Sequence, residues 1–245
     1  MNRAKLRMLA ISLASVTAVA GVSAYFTSSD SVTNTFAAAK LQIKLIEPKW
    51  RDDPTIVPEQ VIDKDPQITN TDETAAYVFM QVTVPAANVT VEYPEDNAAT
   101  PDNYEKGKVN AVQTVPLFRF VAKNNTYTTD QLSDAQTVNS GWYKMKDYPK
   151  TETDTDGKVT GYTYLYAWTN KADSSDPNMA ILYPGKTTTN ALFDHVIFTN
   201  AREDNTLPGS VQNIHIEVFG IQTEYLKNTT QTETDAEEVW KKLSD

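Results

Sequence analysis

Apolar and polar positions alternate along most of this chain, and the first clear case begins at Lys40. Leu41, Ile43 and Leu45 share one face while Lys40, Gln42 and Lys44 share the other, the period-2 signature of a half-buried strand. A loop with Pro48 and Pro54 follows over 47–54. Residues 57–68 read as a broken or edge strand, because Pro58 and Pro66 cannot donate to a ladder. Residues 70–73 read as a turn and 75–84 as the clearest strand of the chain. There Val78, Met80, Val82 and Val84 lie opposite Tyr77, Phe79, Gln81 and Thr83. Both faces are partly apolar, which predicts a central strand covered on two sides.

Residues 89–93 read as a further short strand, and 94–114 as an exposed polar insertion. A strand is predicted over 117–121, a turn at 124–125 and one helical turn over 130–135. Residues 141–148 and 159–169 read as a hairpin in which Trp142, Tyr143, Tyr162, Tyr164, Tyr166 and Trp168 alternate with small or polar residues. Its tip, 151–158, contains Asp156-Gly157, a turn signal. After 179–183 and a turn at Pro184-Gly185, residues 189–199 form a strand with Leu192, Val196 and Phe198 opposite Phe193, His195 and Ile197. The last long strand covers 210–223, where Ile214, Ile216, Val218 and Gly220 alternate with His215, Glu217, Phe219 and Ile221.

The period then changes. Thr234 and Glu237 make a capping box, and Ala236, Val239, Trp240 and Leu243 make one helical face, placing a helix at about 234–244. About eight to ten short strands with regular turn signals predict an all-β fold, an antiparallel, jelly-roll-like β-sandwich over 40–245 that ends in this short C-terminal helix.

The chain ahead of that domain is patterned differently. Arg3, Lys5 and Arg7 precede an uncharged apolar run over 8–20, and Val22-Ser23-Ala24 offers small residues to a peptidase. This predicts a signal peptide over 1–24, cut between Ala24 and Tyr25. The alternative is an uncleaved anchor, since residues 8–26 approach the roughly 17–25 that cross a bilayer. Between leader and domain lies a polar, aromatic-studded tail, 25–39. Its apolar positions Phe26, Val32 and Phe36 fall on one face of an extended chain.

Charge narrows the partners. The full sequence carries 22 Lys+Arg against 32 Asp+Glu, a formal charge of −10. Loss of the leader takes three basic residues and leaves 19 against 32, or −13. That balance argues against nucleic acid and against anionic membrane surfaces; the membrane is expected only as a stage of the precursor. The chain has no cysteine, so disulfides and thiolate metal sites are excluded and the core alone must hold the domain.

The junction Gly21-Val22-Ser23-Ala24-Tyr25-Phe26-Thr27, with Asp30 and Asn34-Thr35-Phe36-Ala37-Ala38 ahead of a strand, resembles the SipW-type signal peptide of the TasA/camelysin family of Gram-positive bacteria. Weaker similarity continues through Thr69-Asn70-Thr71, through 182–188, and in a C-terminal strand followed by a helix with Trp240. The resemblance implies export, trimming by a dedicated signal peptidase and, in the TasA branch, assembly into extracellular biofilm matrix fibres. The camelysin branch has been classed as a metalloprotease family.

The candidate chemistry is sparse. His195 and His215 are the two histidines, each mid-strand, and the sequence holds no His-Glu-x-x-His, Gly-x-Ser-x-Gly or P-loop. Paired strands could bring His195, His215 and Glu217 together as a zinc site; ordinary strand histidines are the other reading. Asp154-Thr155-Asp156-Gly157 has the opening of a calcium loop without its downstream Glu, and reads as a hairpin turn. The aromatics of 142–168 serve either a sandwich core or a carbohydrate-binding face.

No catalytic residue, metal ligand or cofactor is therefore expected. The functional residues are Ala24 and Tyr25 at the cut, with Phe26, Val32 and Phe36 as anchors of a donor strand. That strand adds to the sheet of a neighbouring subunit and propagates head to tail. The expected partners are the signal peptidase and further copies of the chain. The alternatives are a monomeric cell-surface module for glycan or protein, and a camelysin-like metalloprotease.

Overall fold

The computed structural model of the chain describes residues 41–50, 61–91, 112–122, 137–201, 213–226 and 234–244. The leader, the cut at Ala24 and Tyr25, the anchors Phe26, Val32 and Phe36, the turn at 124–125 and the helical turn at 130–135 lie outside the described residues. So do residues 94–111 of the predicted insertion.

Among the described residues the strands are β1 (Ile43–Ile46), β2 (Val61–Asp63), β3 (Gln67–Asn70), β4 (Ala76–Val89), β5 (Gln113–Pro116), β6 (Phe118–Val121), β7 (Trp142–Lys144), β8 (Lys150–Thr153), β9 (Val159–Trp168), β10 (His195–Phe198) and β11 (His215–Gln222). A short 3-10 turn (Thr223–Leu226) follows, and the helix α1 (Ala236–Ser244). All strand pairings are antiparallel. The large sheet runs β11-β4-β9-β7, with β5 added to β4 and β8 added to β9; two smaller sheets, β2-β10-β6 and β1-β3, complete the fold. This is the expected all-β, jelly-roll-like antiparallel sandwich with one short C-terminal helix.

The central strand is β4. Met80 stands opposite Val218 of β11 and Tyr166 of β9, and Val82 stands opposite Ile216 and Tyr164. On that face Val78, Met80, Val82 and Val84 join Tyr164 and Tyr166 in a core shared with Ile43, Leu45, Ile62, Ile68, Phe118, Phe120, Val196 and Phe198 of the smaller sheets. Aromatic contacts bind the layers: Phe120 stacks on Phe193 at 4.1 Å and meets Tyr164 edge-on at 6.0 Å. The opposite face of β4 carries Tyr77 and Phe79, which pack with Leu165, Ala167, Ala236, Val239 and Leu243 under α1. The apolar content of both faces thus has a two-sided cause.

Residues 61–68 show the break expected from the prolines: β2 pairs with β10 while β3 pairs with β1, and the break between them holds Lys64, Asp65 and Pro66. Several other elements depart from the sequence pattern for identifiable reasons. Residues 113–114, the end of the predicted exposed insertion, belong to β5, whose next residue Val115 is fully buried opposite Ala87. Pro85 falls where β4 exchanges one neighbour for another: the β11 ladder ends at Thr83 and the β5 ladder begins at Ala86. A residue without an amide hydrogen is tolerated at such a switch.

Only 195–198 of the predicted 189–199 strand is a strand. The segment before it sends its amides to scattered carbonyls, Leu192 to Pro66 and Asp194 to Val121, so Leu192 and Phe193 both reach the core. The 141–169 hairpin is three strands, since β7 and β8 both lie on β9, separated by Tyr148 and the cis-linked Pro149.

Candidate functional site

Three places in the fold bear on function: the start of β1, where the N-terminal tail joins the domain; the second edge of β11; and a buried cluster of charges beneath the 47–50 loop.

The start of β1 is held from two sides. Leu41 and Ile43 pack against Gly220 of β11, where a Cβ would lie 2.7 Å from Leu41 Cδ2 and 3.2 Å from Ile43 Cδ1. A side chain at 220 would have to push aside the ends of these two side chains. The Gln42 amide donates to Asp72 Oδ2 at 3.0 Å, and its carbonyl accepts from the Thr71 amide at 2.9 Å. Asp72 Oδ1 also accepts from the Glu73 and Thr74 amides and the Thr74 hydroxyl. Burial alone would raise the Asp72 pKa, but the Gln42, Thr74 and Glu73 amides and the Thr74 hydroxyl outweigh it and hold the carboxyl below its ordinary value.

β11 pairs with β4 over its full length, and no other described strand pairs with its second edge. Half of its backbone amides and carbonyls therefore point away from β4.

The charge cluster is built by three segments. Glu47 follows β1, Lys64 and Asp65 connect β2 to β3, and Asp194 precedes β10. Lys64 Nζ lies 2.6 Å from Glu47 Oε1, with side-chain exposures of 0% and 4%. The Lys64 nitrogen also sits 4.5 Å from the centre of the Trp50 ring. Asp65 is buried and accepts the Lys49 amide at 2.8 Å. Asp194 accepts from Asn139 Nδ2 at 2.6 Å and pairs with Lys49 Nζ at 3.6 Å. Burial pushes the Lys64 pKa down; the charge and hydrogen bond of Glu47, and the charge of Asp65, act against that shift without cancelling it.

The remaining sequence candidates are distributed as follows. His195 lies on β10 with Nδ1 2.9 Å from Asp63 Oδ1, and His215 lies on β11 with Nε2 3.2 Å from Glu217 Oε1. Their strands belong to different sheets and do not pair, so no ladder brings His195 and His215 together. Among the described residues no group of three or more His, Asp or Glu side chains is arranged to hold a metal ion. Asp154 caps its own turn, its Oδ1 accepting from the Asp156 and Lys158 amides, with Gly157 at φ 77°. Trp142, Tyr164, Tyr166 and Trp168 are all buried in the inter-sheet core, and Tyr143 under α1. These aromatics of 142–168 form core rather than a surface platform.

The helix cap is Asp235, whose Oδ1 accepts from the Glu237 and Glu238 amides. Thr234, the expected cap, bonds Asn178 through its hydroxyl. Glu237 turns to accept from the Tyr143 hydroxyl at 3.1 Å and the Lys146 amide at 2.9 Å. Burial, followed by the bond to Glu237, pushes the Tyr143 phenol up to about 12. Trp240 is half-buried rather than enclosed, with its ring 5.1 Å from Phe79 and 5.4 Å from Phe219.

Comparison with protein-family models, with curated proteins and with solved structures finds no match to this chain.

Proposed function

We propose that this chain is an exported structural subunit that polymerises head to tail, the 25–39 segment of one copy adding as a strand to the sheet of the next. The observation that carries this reading is a pairing of complementary parts. The tail presents Phe26, Val32 and Phe36 on one face of an extended chain, and β11 offers an eight-residue strand with its second edge unpaired by any described strand. Strand addition along that edge would form about eight ladder hydrogen bonds, at a net contribution of roughly 0.5–1.5 kcal/mol each before ordering costs are subtracted. A head-to-tail contact of this kind repeats as an open filament. Cleavage after Ala24 would free the tail, and the resemblance to the TasA/camelysin family points to extracellular matrix fibres as the product.

The test is negative-stain microscopy of protein beginning at Tyr25, beside a variant lacking 25–35. The full tail is expected to give fibres and the shortened chain a folded monomer. Fibres from the shortened chain, or a persistent monomer from the full one at high concentration, would refute donor-strand polymerisation.

A further inference from the structure

We propose that Lys64 and Glu47 form an intramolecular amide cross-link. The geometry is that of two reactants held at contact in a dry pocket: Nζ and Oε1 are 2.6 Å apart, with the lysine side chain 0% and the glutamate side chain 4% exposed. The Trp50 ring covers the nitrogen at 4.5 Å. This arrangement is costly as a charged pair, because both ions are stripped of water. It is correspondingly favourable for reaction, since fixed contact between reacting groups is worth an effective concentration of about 10⁵–10⁸ M.

The chemistry closes without any co-reactant. Burial favours the neutral amine of Lys64, and in the proposed step its ammonium proton passes to Glu47 across their contact and leaves an amine beside a carboxylic acid. The lysine nitrogen then attacks Glu47 Cδ, forming the C–N bond. A second nitrogen proton moves to the hydroxyl, the C–O bond breaks, and one water leaves. Asp65, a second buried carboxylate whose charge acts on Lys64, is the proton carrier the pocket supplies.

The bond would join the end of β1 to the β2–β3 connection. A pull applied through the N-terminal tail could then peel β1 only as far as Glu47. The inference stands on the pocket alone and does not require that the protein polymerise.

Intact-mass measurement of the folded wild-type protein tests it directly. The expected mass is lower than that of the sequence by one water. Peptide mapping should then give a single branched species linking the Glu47 and Lys64 peptides, with no tryptic cut after Lys64. Lys64→Met and Glu47→Leu should each restore the full mass, and Asp65→Asn should leave a fraction of chains unlinked. A wild-type protein at full mass with a normal tryptic cut after Lys64 overturns the proposal, and so does a water loss that maps elsewhere. Because these readouts come from the wild-type chain, they hold even if a variant fails to fold.

Discussion

Trp240→Ala is expected to destabilise the domain by about 2–3 kcal/mol, the magnitude of a half-buried indole. A tryptophan buries roughly 150–250 Å² when enclosed. Trp240 is only partly covered, so about 100 Å² of contact would be lost, or about 2.5 kcal/mol at about 25 cal/mol per Å². Its tilted and edge-on ring contacts with Phe79 at 5.1 Å and Phe219 at 5.4 Å add about 0.5 kcal/mol each, the low end of the range for aromatic pairs. The unfolded chain already covers part of this surface, which lowers the sum by roughly 10–40%. The result falls below the roughly 3–5 kcal/mol expected for an enclosed tryptophan. Urea unfolding at constant m-value is the assay, with Glu238→Ala, exposed on the same helix, as a control near zero. The melting temperature should drop by on the order of 5–10 °C. A loss under about 1 kcal/mol would mean that α1 is not docked on β4, and a loss above about 4 kcal/mol would mean that the indole is enclosed.

Two further outcomes follow from hydrogen bonds at the ends of the fold. Asp235→Ala should cost about 1 kcal/mol by removing the acceptor for the Glu237 and Glu238 amides, while Thr234→Val should leave the helix cap intact; urea midpoints separate the two. Asp72 has a lowered folded-state pKa, so its contribution is complete above the ordinary value of 3.8 and is lost as pH falls through the folded value. Stability measured across the acid limb should therefore fall less steeply in Asp72→Asn than in wild type; parallel curves would show that the carboxylate does not clamp Gln42.

What the sequence disclosed, and what it hid, follows from the range of the interactions involved. β4, β9 and β11 were legible because each strand carries its own alternation, and Met80, Tyr166 and Val218 point inward for a reason visible within a few residues of each. The two-faced content of 76–84 even signalled a second cover. The irregular path of 189–194 was hidden, because its amides find Pro66 and Val121, partners far away in the chain. The Thr234–Glu237 box fitted the helix start equally well, yet Tyr143 and Lys146 draw Glu237 away and Asp235 takes over. The charge cluster left the least trace of all. Asp63-Lys64-Asp65-Pro66 has the composition of a surface turn, and only the fold reveals that Lys64 points inward to Glu47.

The cover over Phe79 has a consequence for the order in which the molecule can be completed. β4 is made early in the chain, its neighbours β9 and β11 much later, and the residues that close its outer face, Ala236, Val239 and Leu243, later still. Contacts this distant in sequence must absorb their loop-closure entropy before they return any stability, which makes folding slow. Until α1 docks, Phe79 of β4 lies on a less covered sheet face, the kind of transient apolar exposure that favours aggregation.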